Sequence, residues 1–230
     1  MRKPPLFMLT GLLLLLVVQP VLSQPGNVNL AMSIAQARKK NASMVQQYSW
    51  NCRIEYIENG SVKDVRIDSV TYGPDGNLQR SLLNDQSSPM PRGFLRRAIA
   101  EDKRKQTEQF LFGLRDMLDQ YTLPTAGKIL DFVNQATVNS EQSPSGAPIL
   151  QLNGTSVVSP GDTLALTVNP ANMQTKRMQI TTTYEGLTVN ATASFKTLQN
   201  GLTYMAFGEV DVPASGIVLQ VHNYDYQSND

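Results

Sequence analysis

Acid–base or nucleophilic chemistry in this sequence would depend on one histidine and one cysteine. His222 and Cys52 are the only residues of their types among 230. His222 lies out of phase with the apolar positions of a β-prone run, which indicates a solvent-side strand residue. No nucleophile motif surrounds Cys52, and a free cysteine is usually a small buried apolar residue. We therefore predict no catalytic residue and a protein that is not an enzyme.

Metal and cofactor sites also lack their usual residue spacings. The sequence has no glycine-rich phosphate loop, no pair of cysteines and no paired-carboxylate signature. Asp162, Asp211 and Asp225 each adjoin a turn or a strand end, where aspartate is common for conformational reasons. We predict neither a metal site nor a cofactor.

Positive charge is concentrated in one stretch that is predicted to be helical. Its basic residues are Arg92, Arg96, Arg97, Lys103, Arg104 and Lys105. Such a cluster can dock to anionic lipid headgroups or to an acidic protein, and Arg96, Arg97 and Arg104 are the candidate docking residues. The alternative is a solvated helix, in which Glu101 and Lys105 pair at a four-residue spacing.

The charge of the whole chain disfavours nucleic-acid binding. It carries 20 basic and 19 acidic residues, a formal net charge of +1. A near-neutral chain of this length has no overall field that would attract DNA or RNA. We predict no nucleic-acid partner.

The first 23 residues have the three parts of a secretory signal peptide. Arg2 and Lys3 precede an apolar run over residues 6–18, and small residues at 21–23 form a cleavage site. Pro20 interrupts the apolar run, which is too short for a comfortable bilayer span. We predict a periplasmic or otherwise exported protein of residues 24–230 without a membrane span.

The elements that position the residues named above begin with a helix and a β-meander. Apolar residues recur at helical spacing over residues 29–48. Alternating side chains and the turn dipeptide Asn59-Gly60 then predict a hairpin, followed by a third strand. Trp50, the only tryptophan, lies where helix and strand meet, and we predict that its ring is buried. The predicted strands are 50–57, 62–72 and 78–83.

A helical insert is predicted over residues 92–136. Phe110, Leu114 and Met117 form an apolar stripe on its first helix, residues 93–121. Because the stripe meets basic residues when it is extended backward, we predict that the amino-terminal half protrudes, or that the helix kinks or breaks. A second helix is predicted over residues 125–135 and a loop over residues 140–148.

A second antiparallel meander follows the insert. Turn dipeptides separate short β-prone runs, and each run has one apolar face. We therefore predict an α+β fold: an incomplete antiparallel β-barrel, that is, a curved sheet, covered by helices. Residues 24–230 are predicted to form one domain. The strands of this meander are 163–168, 176–184, 187–196, 203–212 and 217–226.

The order of elements resembles the periplasmic lipoprotein-carrier (LolA-like) superfamily. Residues 168–184 are similar to that family's strand, proline-containing turn and basic-apolar strand, and residues 50–80 look like an uncharacterised group of exported bacterial proteins. The resemblance implies an incomplete barrel that wraps over helices around an apolar cavity for acyl chains. The basic stretch 92–121 departs from the carrier pattern.

Two functional hypotheses follow. The leading one is a periplasmic binding module for a lipid or other apolar ligand, with a lipid or lipoprotein acyl chain as the partner. Its candidate cavity residues are Met178, Ile180, Phe195 and Phe207, each of which would otherwise be ordinary core. The alternative is an envelope interaction or sensor protein with a filled core and no small-molecule ligand, which would bind an envelope protein through the basic residues.

Overall fold

The computed structural model describes residues 25–87 and 94–229, so the predicted signal peptide and Arg92 lie outside the described residues. Three α-helices and ten β-strands are present in the described part of the chain. Within it, no helix combines the length and the apolar character needed to cross a bilayer. The elements are α1 (Pro25–Val45), β1 (Tyr48–Glu58), β2 (Ser61–Tyr72), β3 (Leu78–Ser87), α2 (Phe94–Asp119), α3 (Ala126–Gln135), β4 (Thr137–Gln142), β5 (Pro148–Thr155), β6 (Thr163–Asn169), β7 (Gln174–Tyr184), β8 (Leu187–Thr197), β9 (Thr203–Val212) and β10 (Ile217–Ser228).

The ten strands form one antiparallel sheet in the order β3-β2-β1-β10-β9-β8-β7-β6-β5-β4. Since β3 and β4 are its two edges, the sheet is not closed into a barrel. The predicted α+β fold with an incomplete antiparallel barrel is confirmed. The pairing of β1 with β10 joins the amino-terminal meander to the carboxy-terminal one.

Side chains directly opposite each other in paired strands lie on the same face of a sheet. The pairing therefore defines one face along its whole width. One row of opposite residues runs Leu152, Leu166, Met178, Ala193, Gly208, Val221, Ile54 and Arg66. We call this the helix-side face, because the helices pack against its β5–β9 part.

Two apolar clusters fill the space between the helices and strands β5–β9. The larger cluster joins Ile34 of α1 and Phe132 of α3 to Leu164, Leu166 and other residues of the sheet. The smaller cluster surrounds Leu114 of α2 and includes Val189 and Val212. Burial of these aliphatic and aromatic side chains is the main stabilising contribution here, since the only cysteine, Cys52, is free.

Helix α2 is continuous from Phe94 to Asp119, so of the three predicted alternatives the break does not occur. Its basic residues contact acidic residues at the ends of the strands. Lys103 Nζ lies 2.8 Å from Glu58 Oε1, and Arg104 Nη2 lies 3.6 Å from Asp64 Oδ1. These ion pairs with β1 and β2 take the place of apolar packing along the amino-terminal half of the helix.

The loop predicted over residues 140–148 is shorter than expected. Strand β4 extends to Gln142 and pairs with β5 as the outermost strand of the sheet. All six of its residues are exposed. Its polar sequence gave no strand signal, because an edge strand that is wet on both faces needs no apolar alternation.

Candidate apolar-ligand site

The helix-side face of strands β10, β1 and β2 carries apolar side chains that belong to neither core cluster. Leu219 and Val221 of β10 lie directly opposite Tyr56 and Ile54 of β1. All four are partly buried. Trp50 lies on the same face of β1, six residues from Tyr56, which is about 20 Å of strand. We call these five residues the apolar strip.

Aromatic rings cluster at one end of the apolar strip. The Trp50 ring stacks on Tyr226 with a centroid distance of 5.2 Å, and Tyr72 lies 6.0 Å away in a tilted arrangement. Tyr226 also contacts Tyr204 at 4.1 Å. Burial raises the pKa of Tyr72 and of Tyr226. The Trp50 ring is itself only partly buried, so the prediction of a buried ring is wrong. The strand pairing is irregular beside Trp50, between Ser49 and Asn51 of β1, and Asp225 of β10 has a positive φ of 55° there.

A polar cluster lies beside the apolar strip on the same face. Asp68 of β2 is 1% exposed, and Arg66 Nε donates to both of its carboxylate oxygens at 2.8 and 3.0 Å. Arg80 of β3 lies further away, with Nη1 at 3.5 Å from Asp68 Oδ2. The same Nη1 lies 3.6 Å from Cys52 Sγ. The cluster thus brings two guanidinium groups and one carboxylate close to the apolar side chains.

Cys52 is 2% exposed, as predicted for a small buried residue. Burial raises the pKa of its thiol, and the contact with Arg80 opposes this effect only in part. A neutral thiol is a poor nucleophile. In the strand register His222 of β10 lies directly opposite Arg53 of β1, which is on the other face of the sheet from Cys52. Cys52 and His222 therefore do not form a catalytic pair.

Helix α2 borders the other end of the apolar strip. Its ion pairs with Glu58 and Asp64 hold its amino-terminal half at this end. Burial is the main reason why the pKa of Tyr56 is raised. The strip is therefore bounded by a helix at one end and by aromatic rings at the other.

The candidate cavity residues do not all lie together. Ile180 is 3% exposed inside the larger core cluster, and Met178 packs against that cluster. Phe195 is partly buried further along β8. Phe207 lies on the opposite face of the sheet, with its ring 4.8 Å from His222. Met178 and Ile180 are thus side by side on β7, where the helices already cover the sheet.

Two of the three candidate docking residues have partners within the chain. Arg97 Nε lies 3.1 Å from Glu101 Oε1, and Arg104 pairs with Asp64. The third, Arg96, belongs to α2, but its side chain is outside the described part of the structure.

The opposite face of the sheet has a groove of about 550 Å³. Arg53 crosses part of it in an ion pair with Glu55 at 2.8 Å. Because charged and polar groups dominate its walls, this groove does not suit an acyl chain. Within residues 25–87 and 94–229, no three His, Cys, Asp or Glu residues are close enough to hold a metal ion. The groove is lined by Arg53, Glu55, Lys196, Tyr204, Ala206, His222, Asn223 and Tyr224.

A second buried polar cluster fixes the carboxyl end of α2. Tyr121 comes just after that helix end. Its hydroxyl donates to Asp162 Oδ2 at 2.6 Å and lies 2.8 Å from Thr182 Oγ1. Burial and the Asp162 carboxylate raise the pKa of Tyr121 to about 12. Burial would raise the pKa of Asp162, but hydrogen bonds from Tyr121 and from backbone amides outweigh it and lower that pKa.

Tyr121 makes stability depend on pH in the alkaline range. Its folded-state pKa of about 12 lies above the unfolded value of about 10, so its contribution is complete below pH 10 and is lost towards pH 12. We therefore expect the difference in Tm between the wild type and Tyr121→Phe to be largest near pH 9 and to shrink by pH 11.5. Thermal melts by circular dichroism measure this difference. A difference that stays constant over this range would contradict the assignment.

The apolar strip was not recognised as a site from the sequence. The signal was available, because Cys52, Ile54 and Tyr56 alternate with polar residues, as do Ile217, Leu219 and Val221. That pattern indicates an apolar strand face, but it does not distinguish a face covered by helices from one that is left open.

Comparisons with known proteins find likenesses in structure only. No family model matches the chain, and no curated protein matches it. A DUF1329 family protein from Desulfovibrio piger is similar over 89% of this chain and 92% of its own, with 11% identity and a TM-score of 0.42. A domain named for outer membrane lipoprotein sorting, from Vibrio parahaemolyticus, is similar over 87% and 93%, with 7% identity and a TM-score of 0.40.

A LolA superfamily protein from Nitrosomonas europaea is similar over 87% of this chain and 94% of its own, with 14% identity and a TM-score of 0.35. Likenesses at these identities concern the course of the backbone and carry no inference about a ligand. One solved structure to which this chain is similar is thus a member of the superfamily that the sequence resembles.

Proposed function

We propose that the chain is an exported binding module for a lipid or another apolar ligand, which lies along the apolar strip. The supporting observation is that Leu219, Val221, Ile54 and Tyr56 lie on the helix-side face but belong to neither core cluster. In this proposal residues 24–230 form one periplasmic domain after removal of a signal peptide. The ligand would be a free lipid or the acyl chain of a lipoprotein.

The energetic reason is the partly wet state of the apolar strip. Covering apolar surface contributes about 25 cal/mol for each Å² removed from water. The strip also continues onto the edge strand, since Leu82 of β3 lies opposite Asp68 on the same face and is 54% exposed. An acyl chain along the strip would remove these side chains from water without disturbing either filled core.

The pairing of the basic residues supports this proposal over the alternative of a protein-docking helix. Arg104 is used within the chain to hold α2 against β2, and Arg97 pairs with Glu101 on its own helix. Charges that are already paired contribute less to a protein interface than free ones would.

Filling the apolar strip should abolish ligand binding. We expect Val221→Trp to weaken the binding of a fluorescent fatty-acid probe at least tenfold, because the indole would occupy the space beside Ile54 and Leu219. Ser194→Trp is the matched control: Ser194 is exposed on the opposite face of β8, so the same substitution there should leave affinity unchanged. Circular dichroism spectra show whether both variants fold.

Two results would contradict the proposal. One is a Val221→Trp variant that binds the probe as well as the wild type does. The other is a wild-type protein that neither binds the probe nor carries a lipid detectable by mass spectrometry after purification. The fluorescence of Trp50 offers a separate measurement of binding in the wild type. Trp50 is the only tryptophan of the chain, and a ligand on the strip should shift its emission.

A further inference from the structure

We infer that the ligand of the apolar strip is an amphiphile with an anionic head group, a carboxylate or a phosphate, and that Arg80 binds this head group. This inference rests on the proposed function and specifies the chemical class of its ligand.

The position of Arg80 is the first observation. Arg80 of β3 lies opposite Val70 of β2, which lies opposite Trp50 of β1, so all three are on the helix-side face. Its guanidinium reaches back across β2 to within 3.6 Å of Cys52 Sγ in β1. The charge therefore lies over the sheet beside the apolar strip, and the side chain is still 44% exposed to an incoming ligand.

The pairing of charges is the second observation. Asp68 already accepts two hydrogen bonds from Arg66 at 2.8 and 3.0 Å, whereas Arg80 stays 3.5 Å away, beyond the usual hydrogen-bond distance. Asp85 of β3 lies directly opposite Arg66, not Arg80. A guanidinium has five N–H donors, so Arg80 has donors to spare for a ligand.

The remaining acidic groups at this face are engaged elsewhere. Glu58 pairs with Lys103 and Asp64 pairs with Arg104, both at the end of the strip that α2 borders. Arg80, in contrast, shares its carboxylate partner with Arg66, which already binds that carboxylate more closely.

The guanidinium of Arg80 and the apolar strip together determine the ligand class. A guanidinium binds carboxylate and phosphate through two parallel hydrogen bonds, and these bonds strengthen where neighbouring apolar groups exclude water. A small free anion would leave the apolar strip uncovered, and a neutral hydrocarbon would leave the donors of Arg80 unused. An anionic amphiphile satisfies both.

The test compares palmitic acid with cetyl alcohol, which has the same chain length and no charge, as competitors of a fluorescent probe. A hydrogen bond to a charged group contributes about 1.5–3 kcal/mol, so the wild type should bind the acid at least about tenfold more tightly. Arg80→Met should abolish this preference and leave the affinity for the alcohol unchanged. Arg177→Met is the matched control, because Arg177 is exposed on the opposite face and should keep the preference.

A second variant tests the same assignment in the other direction. Asp68→Asn removes the carboxylate that competes for both guanidinium groups, so its preference for the acid should exceed that of the wild type. Folding of each variant is monitored by its thermal melt.

The outcomes separate this inference from the proposed function. Equal affinity of the wild type for acid and alcohol, or an undiminished preference in Arg80→Met, would overturn the inference and leave apolar binding intact. Displacement of the probe by inorganic phosphate or acetate alone would also overturn it, in favour of a small-anion site. If neither competitor binds at all, the proposed function itself fails.

Discussion

Asp162→Ala is expected to lower the free energy of unfolding by about 4 kcal/mol, because several donors would lose one shared acceptor. The Asp162 carboxylate accepts the backbone N–H groups of Val157, Val158 and Ser159 at 2.6, 2.9 and 2.6 Å. It also accepts the Tyr121 hydroxyl at 2.6 Å. For a domain of this size the loss corresponds to a fall in Tm of roughly 10 °C, which differential scanning calorimetry measures.

Two milder variants separate the contributions to this cluster. Tyr121→Phe removes the hydroxyl that contacts Asp162 and Thr182 but keeps the carboxylate with its three backbone donors, so we expect a loss of about 1–2 kcal/mol. Asp162→Asn keeps one oxygen acceptor and should fall between Tyr121→Phe and Asp162→Ala. If Asp162→Ala costs no more than Tyr121→Phe, the backbone amides find other acceptors and this explanation is wrong.

Asp162→Ala should affect the candidate site as well as stability. Tyr121 follows α2 directly, and α2 borders the apolar strip. Loosening the anchor at the carboxyl end of the helix should therefore weaken probe binding in Asp162→Ala, even at temperatures where the variant remains folded.

Phe132→Ala is expected to destabilise the protein by about 4 kcal/mol through lost burial and a cavity. Phe132 of α3 is 3% exposed and packs within the larger core cluster. Its ring lies against the backbone of β5, since a Cβ atom added at Gly154 would lie 2.6 Å from Phe132 Cε2. Surrounding residues cannot collapse into the cavity easily, because the strand on that side is held by pairing with β4 and β6. Urea denaturation measures the change.

Phe112→Ala provides a matched control for the core variant. Phe112 of α2 is 64% exposed, so the same substitution should change stability by no more than about 0.5 kcal/mol. Equal effects at the two positions would show that exposure of these rings does not reflect their environment in solution.

Several parts of the fold were predictable because their cause lies within a few residues of sequence. The Asn59-Gly60 dipeptide predicted a hairpin, and both residues have positive φ, 51° and 73°, in the two-residue turn between β1 and β2. The second helix of the insert was predicted over residues 125–135, and Thr125 caps α3 by accepting the backbone N–H of Lys128 at 3.2 Å. Each signal acts through neighbouring backbone groups.

The candidate site could be predicted only in part. Alternation identified apolar faces on β1 and β10, and the small buried character of Cys52 is confirmed. The course of α2 was left open between a protruding half, a kink and a break, because Lys103 and Arg104 find their acidic partners on strands that lie about 40 residues earlier in the chain. Hydrophobic periodicity shows whether a helix has an apolar face but not whether a distant carboxylate can neutralise a basic one.

By itself the sequence determined most local conformations of this protein: the helices, the strands other than β4 and β5, most of the turns, and the apolar faces of the predicted strands. Only the tertiary structure decided that β1 pairs with β10, that the helices cover β5–β9, and that the apolar strip beside Arg80 is left partly open. Local conformation depends on sterics and hydrogen bonds between near neighbours, whereas coverage of a sheet depends on which distant helices can pack there once the loop-closure entropy has been offset by burial.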